Sequence, residues 1–468
     1  MRSTMQTLHR TIFSLTALGL IIVLLAACSG RSGSSTPQPQ AAATTQTPSA
    51  TTSQVATAPP ATAPSAADAG AGTIRIAVVR GAMIDTMRKL TTLYMQNHPN
   101  VKVNVEEEPE GGAFEALIAA GNQPDLIVTS FGSQIGHLAA GGAILPLEDL
   151  PGASDLFARL DKPTVEQLYG HNYYVPVGAD VTMMIYNKEI FTQAGLDPNK
   201  PPVTWDEFLA AAAKIDQLPA PASGDKLRGT VFWNEALTYG GWYWNVLQPI
   251  YLNGNQNQCL LLNRLGTDIV FDKPECNLAA FFDFAQKAQK FAPPTMEKNF
   301  FGRGIGMWLQ YGYSWEPNLK TAANKPMVIG QDVGVAPVPV PKQGDTAYTT
   351  YGGRAYMILK TTPERQNLTW DFVQFLMQDA NNLVFLKELG YLPVVTSLKS
   401  DPYFQDPARQ PFVAALAHAV LPQQFDAADK AAVQVQAVYQ AAVVQGQLAP
   451  AQAVEQAAQK ARDALKTQ

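Results

Sequence analysis

Between Ile74 and Thr129 the hydrophobic repeat switches twice between a period of two and a period of three to four residues. Ile74 to Val79 is a β-rich run that reads as a buried first strand. Met83, Met87, Leu90 and Tyr94 follow at spacings of four, three and four, the pattern of an amphipathic helix, which Pro99-Asn100 stops. Val101, Val103 and Val105 alternate with polar residues and give a second strand. Phe114, Leu117 and Ile118 predict a helix closed by Gly121, and Pro124 to Thr129 a third strand. Strand, helix, strand, helix, strand commits this part of the chain to a doubly wound α/β arrangement with a parallel sheet.

The segment before it carries a different message. Arg2, His9 and Arg10 precede an uncharged stretch from Thr11 to Ala27, which ends in small residues, the form of a secretory signal peptide. Its apolar core is too short to span a bilayer comfortably. Leu25-Ala26-Ala27-Cys28 resembles the lipobox of bacterial lipoproteins, which implies that Cys28 is lipidated and begins the mature protein. The alternative is an uncleaved anchor with an incidental Cys. Either way the folded body is expected outside the cytoplasm, on the outer face of the cytoplasmic membrane or the periplasmic side of a membrane. Residues 28–72 after the signal segment 1–27 are almost all Ser, Thr, Ala, Pro, Gln and Gly, charged only at Arg31 and Asp68. Such a stretch has too little apolar surface to offset its ordering entropy. It reads as a disordered tether with an average span of about 35–40 Å.

The remainder, Thr73 to Gln468, is long enough for two lobes with separate cores. Loss of Arg2 and Arg10 with the signal leaves 32 basic against 39 acidic residues, a net charge of −7. No basic run follows the signal, so nucleic acid is a poor partner. No second apolar stretch is long enough to span a membrane, which argues against a channel or permease. Cys259 and Cys276 are an even pair in an exported chain and are expected to form a disulfide. The short loop it closes gives only about 3 kcal/mol in the entropic treatment. Redox catalysis is not expected, because there is no Cys-x-x-Cys.

Further along, Thr204 to Glu207 reads as a capping box, with Thr204 capping a helix and Glu207 reaching back. Thr361 to Glu364 reads as a second, with Pro363 in the first turn. Two Ala-rich helices, about 427–445 and 450–466, close the chain. Seven short motifs occur in order: P-D-L-I-V at 124–128, M-I-Y-N-K at 184–188, F-T-Q-A-G-L at 191–196, P-P-V-T-W-D-E-F at 201–208, G-I-G-M at 304–307, Y-G-G-R at 351–354 and G-Y-L-P-V at 390–394. Each alone is weak, but together this order resembles the family 1 extracellular solute-binding proteins of ABC importers, the maltose-binding-like group.

The resemblance covers about 74 to 466 and implies an α/β, two-lobed periplasmic-binding-protein fold, type II-like, with a hinge of crossing segments and a C-terminal helical region. It places crossings between lobes near Gly178–Asp180, Tyr351–Gly353 and Tyr391–Val394. The corresponding division is 73–178 and 353–392 in one lobe, and 179–352 and 393–468 in the other. A solute would lie between the lobes and be buried by hinge closure.

A cleft that closes on a sugar needs flat rings for its apolar faces and acids, amides or guanidinium groups for its hydroxyls. Aromatic-rich stretches surround Gly240-Gly241 and Gly312. Tyr239, Trp242, Tyr311 and Tyr313 are expected to meet the ligand, whereas Trp244 and Trp308 read as core. The resemblance places Asp180 at the first crossing as an acceptor of sugar hydroxyls, with a hinge cap or salt bridge as the alternative. It likewise places Phe114 against the ligand, and matches Tyr391 to a cleft Tyr of the glycerol-phosphate-binding branch. Ser130 and Phe131 follow the third strand at the crevice end of the sheet. Gly353 would let backbone approach the ligand. Arg354 beside it reads either as a ligand residue or as a partner for a hinge acid. That glycerol-phosphate branch also uses an Arg in the C-terminal region, and Leu421 to Val433 contains none, so a neutral saccharide or polyol is favoured.

Catalysis has little support. His98, His137, His171 and His418 are scattered, and there is neither Gly-x-Ser-x-Gly nor a phosphate loop. Glu106 to Glu108 reads as a solvated acidic strand end rather than a metal cluster. The expectation is therefore a monomeric, membrane-tethered binding lipoprotein without cofactor or metal. It would deliver a carbohydrate to ABC permease subunits. The alternatives are a solute sensor for a signalling receptor and a glycoside-active enzyme with paired carboxylates.

Overall fold

The computed structural model describes residues 72–79, 81–109, 113–220, 224, 226–231, 244–293, 300–322 and 325–466. Cys28, the tether through residue 71 and the stretch holding Tyr239 and Trp242 lie outside the described residues. The strands are β1 (Gly72–Val78), β2 (Val101–Glu107), β3 (Leu126–Ser130), β4 (Val175–Asn187), β5 (Arg228–Val231), β6 (Ile305–Gly312), β7 (Val333–Ala336), β8 (Thr349–Ile358) and β9 (Ala419–Val420). They run in the order β2-β1-β3-β8-β4-β6-β5, with β7 on β4 and β9 on β8.

The doubly wound start is present as its periodicity requires. β1 pairs in parallel with both β2 and β3. Helix Ala82–Asn97 buries Met83, Met87, Leu90 and Tyr94, the residues whose spacing predicts it. β8 then joins β3 antiparallel. The 13-residue β4 carries the sheet from one half to the other: its first part pairs with β8, its second with β6 and β7.

Two hydrophobic cores flank this continuous sheet, and the first runs along it to take in Ile305, Trp308 and Tyr311 of β6, with Leu319 and Met327. The first collects β1–β3, the helices Ala82–Asn97, Pro363–Leu376 and Asp379–Leu389, and the segment from Val394 to Leu416. The second collects helices Trp205–Asp216, Trp244–Asn255, Leu278–Gln289, Asp426–Tyr439 and Pro450–Lys466. Strand alternation feeds both cores: Met183 and Ile185 of β4 pack in the first, Met184 and Tyr186 in the second.

Local chemistry fixes the helix ends. At Thr204 the hydroxyl accepts the Glu207 N–H at 3.2 Å, and the Glu207 carboxylate accepts the Thr204 N–H at 3.0 Å, completing the predicted box. The second predicted cap moves by one residue. Thr362, not Thr361, accepts the Arg365 N–H, at 3.4 Å, because the Thr361 hydroxyl donates to Asp125 at 3.3 Å. Fully buried Asp125 also accepts the Arg75 N–H at 2.8 Å and the Arg365 guanidinium at 2.7 Å, tying β1 and helix Pro363–Leu376 to β3. Cys259 and Cys276 form the expected disulfide, with Cα atoms 5.2 Å apart.

A strap at Gln423-Gln424 joins the two cores. The Gln423 amide accepts the Leu262 N–H at 2.8 Å and donates to the Leu262 carbonyl at 3.0 Å, as a strand neighbour would. The fully buried Gln424 amide turns the other way and donates to Tyr174 Oη at 3.0 Å and Glu166 Oε2 at 3.3 Å. Leu262 belongs to the second core and Tyr174 to the first. Helix Ser133–Ala140 presses on the strap so closely that a Cβ on Gly136 would lie 1.8 Å from the Gln424 carbonyl oxygen.

Candidate ligand-binding site

The three segments expected to cross between lobes lie side by side. Gly178 to Val181 of β4 pairs antiparallel with Arg354 to Tyr351 of β8. On the other edge, Ala179 and Leu392 exchange both backbone hydrogen bonds at 2.8 Å. A cavity of about 120 Å³ opens to solvent against this crossing. Alternation along β8 turns Thr350, Gly352 and Arg354 toward it, and β6 contributes Gln310 and Gly312.

Asp180 stands half-buried in the wall. Its Oδ2 accepts the Ser314 hydroxyl at 2.5 Å, and its Oδ1 accepts the N–H groups of Val181 at 2.9 Å and Ser314 at 3.3 Å. Burial pushes its carboxyl up to about 6, and these donors offset part of the rise. The Tyr313 backbone N–H also favours the ionised form, so four donors serve about four lone-pair sites and a ligand hydroxyl would share an oxygen with one of them.

Arg354 forms the opposite pole. Its Nη1 donates to Ser130 Oγ at 2.6 Å and its Nε to Tyr391 Oη at 2.8 Å. The Tyr391 ring stacks on Phe385, with centroids 5.7 Å apart, and its Cβ packs over Gly178, where any Cβ would meet it at 2.7 Å. Three of the five guanidinium N–H groups remain without a hydrogen bond among the described residues. Glu108, just past β2, is half-buried. Burial raises its carboxyl, while a hydrogen bond from Gln134 and the charge of Arg354 pull it down.

The family model for bacterial extracellular solute-binding proteins matches residues 80–383, well over half of the chain. The chain belongs to that family. The match takes in six of the seven motifs and every element of the crossing except the Tyr391–Leu392 segment. Among relatives of this solute-binding protein, the maltotriose-binding protein of Pyrococcus abyssi is 26% identical over 356 residues, covering 72% of this chain and 70% of that one. The sn-glycerol-3-phosphate-binding periplasmic protein UgpB of Pectobacterium atrosepticum is 24% identical over 344 residues, covering 68% and 72%. The fold matches the crystal structure of the cyclic alpha-maltosyl-1,6-maltose binding protein from Arthrobacter globiformis. That match has a TM-score of 0.72 at 20% identity and covers 85% of this chain and all of the other. Members of the family are binding proteins that work outside the cytoplasm.

In this solute-binding protein Ser130, Phe131, Asp180, Gly353, Arg354 and Tyr391 come together around the cavity. Three expectations depart from the structure. Tyr311 and Tyr313 are completely buried, packing on Phe412 with centroids 6.0 and 4.9 Å away. On β6, Gln310 and Gly312 take the cavity side, so Tyr311 faces the core. The Tyr313 hydroxyl is engaged by Arg409 at 2.8 Å, which lifts it out of any stacking role. Phe114 is 2% exposed and packs in the first core from the first turn of helix Ala113–Ala119. Gly353 does line the cavity, but its missing side chain serves β4, since a Cβ there would lie 2.1 Å from the Gly178 carbonyl oxygen. Tyr239 and Trp242 lie outside the described residues. Trp244 and Trp308 are core, as expected.

Sequence reasoning missed Thr182, Asn245, Gln310, Ser314 and Thr350. Period-two spacing from Asp180 would have found Thr182, and two residues past Gln310 and Gly312 stands Ser314. Glu108 is not the fully solvated end expected of it, because it is half-buried, which raises its carboxyl.

Proposed function

We propose that this protein captures a carbohydrate in the cavity between its lobes and delivers it to the permease subunits of an ABC importer. One observation carries the reading. Among the described residues the cavity lining holds one acid, Asp180, and one cation, Arg354. Around them stand the neutral hydrogen-bonding groups of Thr182, Thr350, Asn245 and Gln310. A balanced pair among amides and hydroxyls suits a neutral, hydroxyl-rich solute, with Asp180 accepting and Arg354 donating. Tyr391 offers a ring edge for its apolar faces, whereas Phe131, 2% exposed, reaches the cavity from the first core. The maltotriose and cyclic maltosyl-maltose named for the relatives support the same class. Binding rather than catalysis is the role we assign. The glycerol-phosphate-binding relatives make a phosphorylated polyol the comparison to test against.

Thermal-shift screening against neutral saccharides, polyols and glycerol 3-phosphate tests this. A ligand at a hundred times its dissociation constant stabilises by about 2.7 kcal/mol. Failure of every saccharide and polyol to raise the melting temperature would sink the reading. We also propose that Cys28 carries the lipid and that residues 28–72 tether a monomeric body to the membrane. Acyl labelling should vanish in Cys28→Ala, and labelling that persists would refute it.

A further inference from the structure

Ser314 is absent from every motif of the sequence and sits in the turn Tyr313–Trp315 directly after β6. It grips Asp180 twice, through its hydroxyl at 2.5 Å and its backbone N–H at 3.3 Å. The approach depends on Gly312, where a Cβ would stand 2.8 Å from Asp180 Oδ2. From the other side, a Cβ on Gly390 would meet the Ser314 backbone at 3.6 Å, an ordinary van der Waals contact. The turn is therefore held close against the acid on one side and faces the Gly390-Tyr391 segment on the other.

Every donor on Asp180 favours its ionised form, while burial opposes it. The titratable and charged groups around it are few. Tyr311 precedes the turn on β6, Tyr313 opens it and is held by Arg409, Glu316 follows the turn and pairs with Arg409 at 3.5 Å, and Arg354 and Tyr391 line the same cavity from β8 and the crossing segment. None of the described cations forms an ion pair with Asp180, and hydrogen bonds alone offset its burial.

We propose that Ser314 is a positioning residue for ligand capture. Its two hydrogen bonds keep the Asp180 carboxylate ionised and aimed into the cavity, and so set the pH range in which the protein holds its solute. This rests on the reading that Asp180 accepts ligand hydroxyls. With burial holding the carboxyl up at about 6, protonation on acidification removes the acceptor just below neutral pH. Loss of the Ser314 hydroxyl brings that loss closer to pH 7.

Two measurements on the full-length protein test it. Carbon-13 NMR of aspartate-labelled protein, with the Asp180 signal assigned through Asp180→Asn, gives the titration midpoint without any ligand. Ser314→Ala should raise that midpoint by about one pH unit, the equivalent of roughly a tenfold change, and Ser314→Thr should restore it. An unmoved midpoint overturns the proposal. Calorimetry with maltotriose from pH 5 to 8 gives the second readout. The fall in affinity on acidification should begin about one pH unit higher in Ser314→Ala than in wild type. Parallel profiles would overturn the claim that Ser314 sets the binding range. Absence of maltotriose binding at every pH would count against the carbohydrate reading, and the ligand-free titration would still decide the role of Ser314.

Discussion

Gly353 lies so close to Gly178 across the paired strands β8 and β4 that a methyl group on it would stand 2.1 Å from the Gly178 carbonyl oxygen. Its φ of +136° adds strain for any other residue. Gly353→Ala is expected to destabilise by at least the 1–3 kcal/mol typical of overpacking, roughly, and to disturb the crossing on which the cavity is built. Gly352→Ala is the control, because its Cβ would meet only ordinary contact with Asp180 at 3.5 Å. Urea unfolding of both variants checks this. Equal midpoints would show that the strands have room to spare.

The Asp180 carboxyl is raised from 3.8 to about 6 in the folded protein, which fixes the sign of its effect on stability. A raised carboxyl favours folding below its unfolded value, and that advantage is lost as pH rises through about 6. At pH 7 the ionised group therefore costs stability, by up to about 3 kcal/mol for a rise of this size. Asp180→Asn should unfold at higher temperature than wild type at pH 7 and at about the same temperature at pH 4. It should also bind maltotriose roughly tenfold more weakly, because a charge-assisted acceptor is gone. Lower stability at pH 7 would show that the Ser314 and Val181 hydrogen bonds outweigh the burial.

Tyr391 separates packing from hydrogen bonding. Tyr391→Phe keeps the ring on Phe385 but removes the acceptor that holds Arg354 Nε at 2.8 Å. Stability should change by less than about 1 kcal/mol, since water can replace one hydroxyl at an open cavity. Affinity should fall roughly fivefold as the guanidinium loses its fixed direction. Unaltered affinity would remove Arg354 from the binding groups.

The disulfide is expected to matter for folding and not for binding. Cys259 and Cys276 are separated by 17 positions, so reduction should cost about 3 kcal/mol in the entropic treatment. Neither Cys lines the cavity. Chemical unfolding with and without reductant, beside calorimetry under both conditions, checks the pair of expectations. A large loss of affinity on reduction would contradict the second.

Period and capping made much of the fold legible. Met83 to Tyr94, the alternating valines of β2 and the Thr204–Glu207 box each report on neighbours within a turn or two, and each appears as read. What failed depends on distant partners. Which face of β6 turns to the cavity is decided by its pairing with β4, including a register shift between Met183 and Ile185 that no local pattern announces. Tyr311 thus goes to the core while its neighbour Gln310 lines the site. Thr361 lost its cap to Thr362 because Asp125, more than two hundred residues earlier, claims its hydroxyl. Two strands of the crossing are legible because Tyr351–Arg354 and Gly390–Val394 stand within motifs, and Asp180 through the resemblance, whereas Ser314 acts through a carboxylate far away in sequence.

The strap at Gln423-Gln424 has a mechanical meaning. Consecutive residues there are clamped to different bodies, Gln423 to the backbone of Leu262 and Gln424 to Tyr174 and Glu166. The peptide unit between them therefore bridges the two clamps directly and would feel any shift of one against the other, as a strain gauge does. A spectroscopic label nearby, on the outward-facing Tyr169 whose ring meets Phe425, would read that gauge from outside the cleft, whatever solute sits inside.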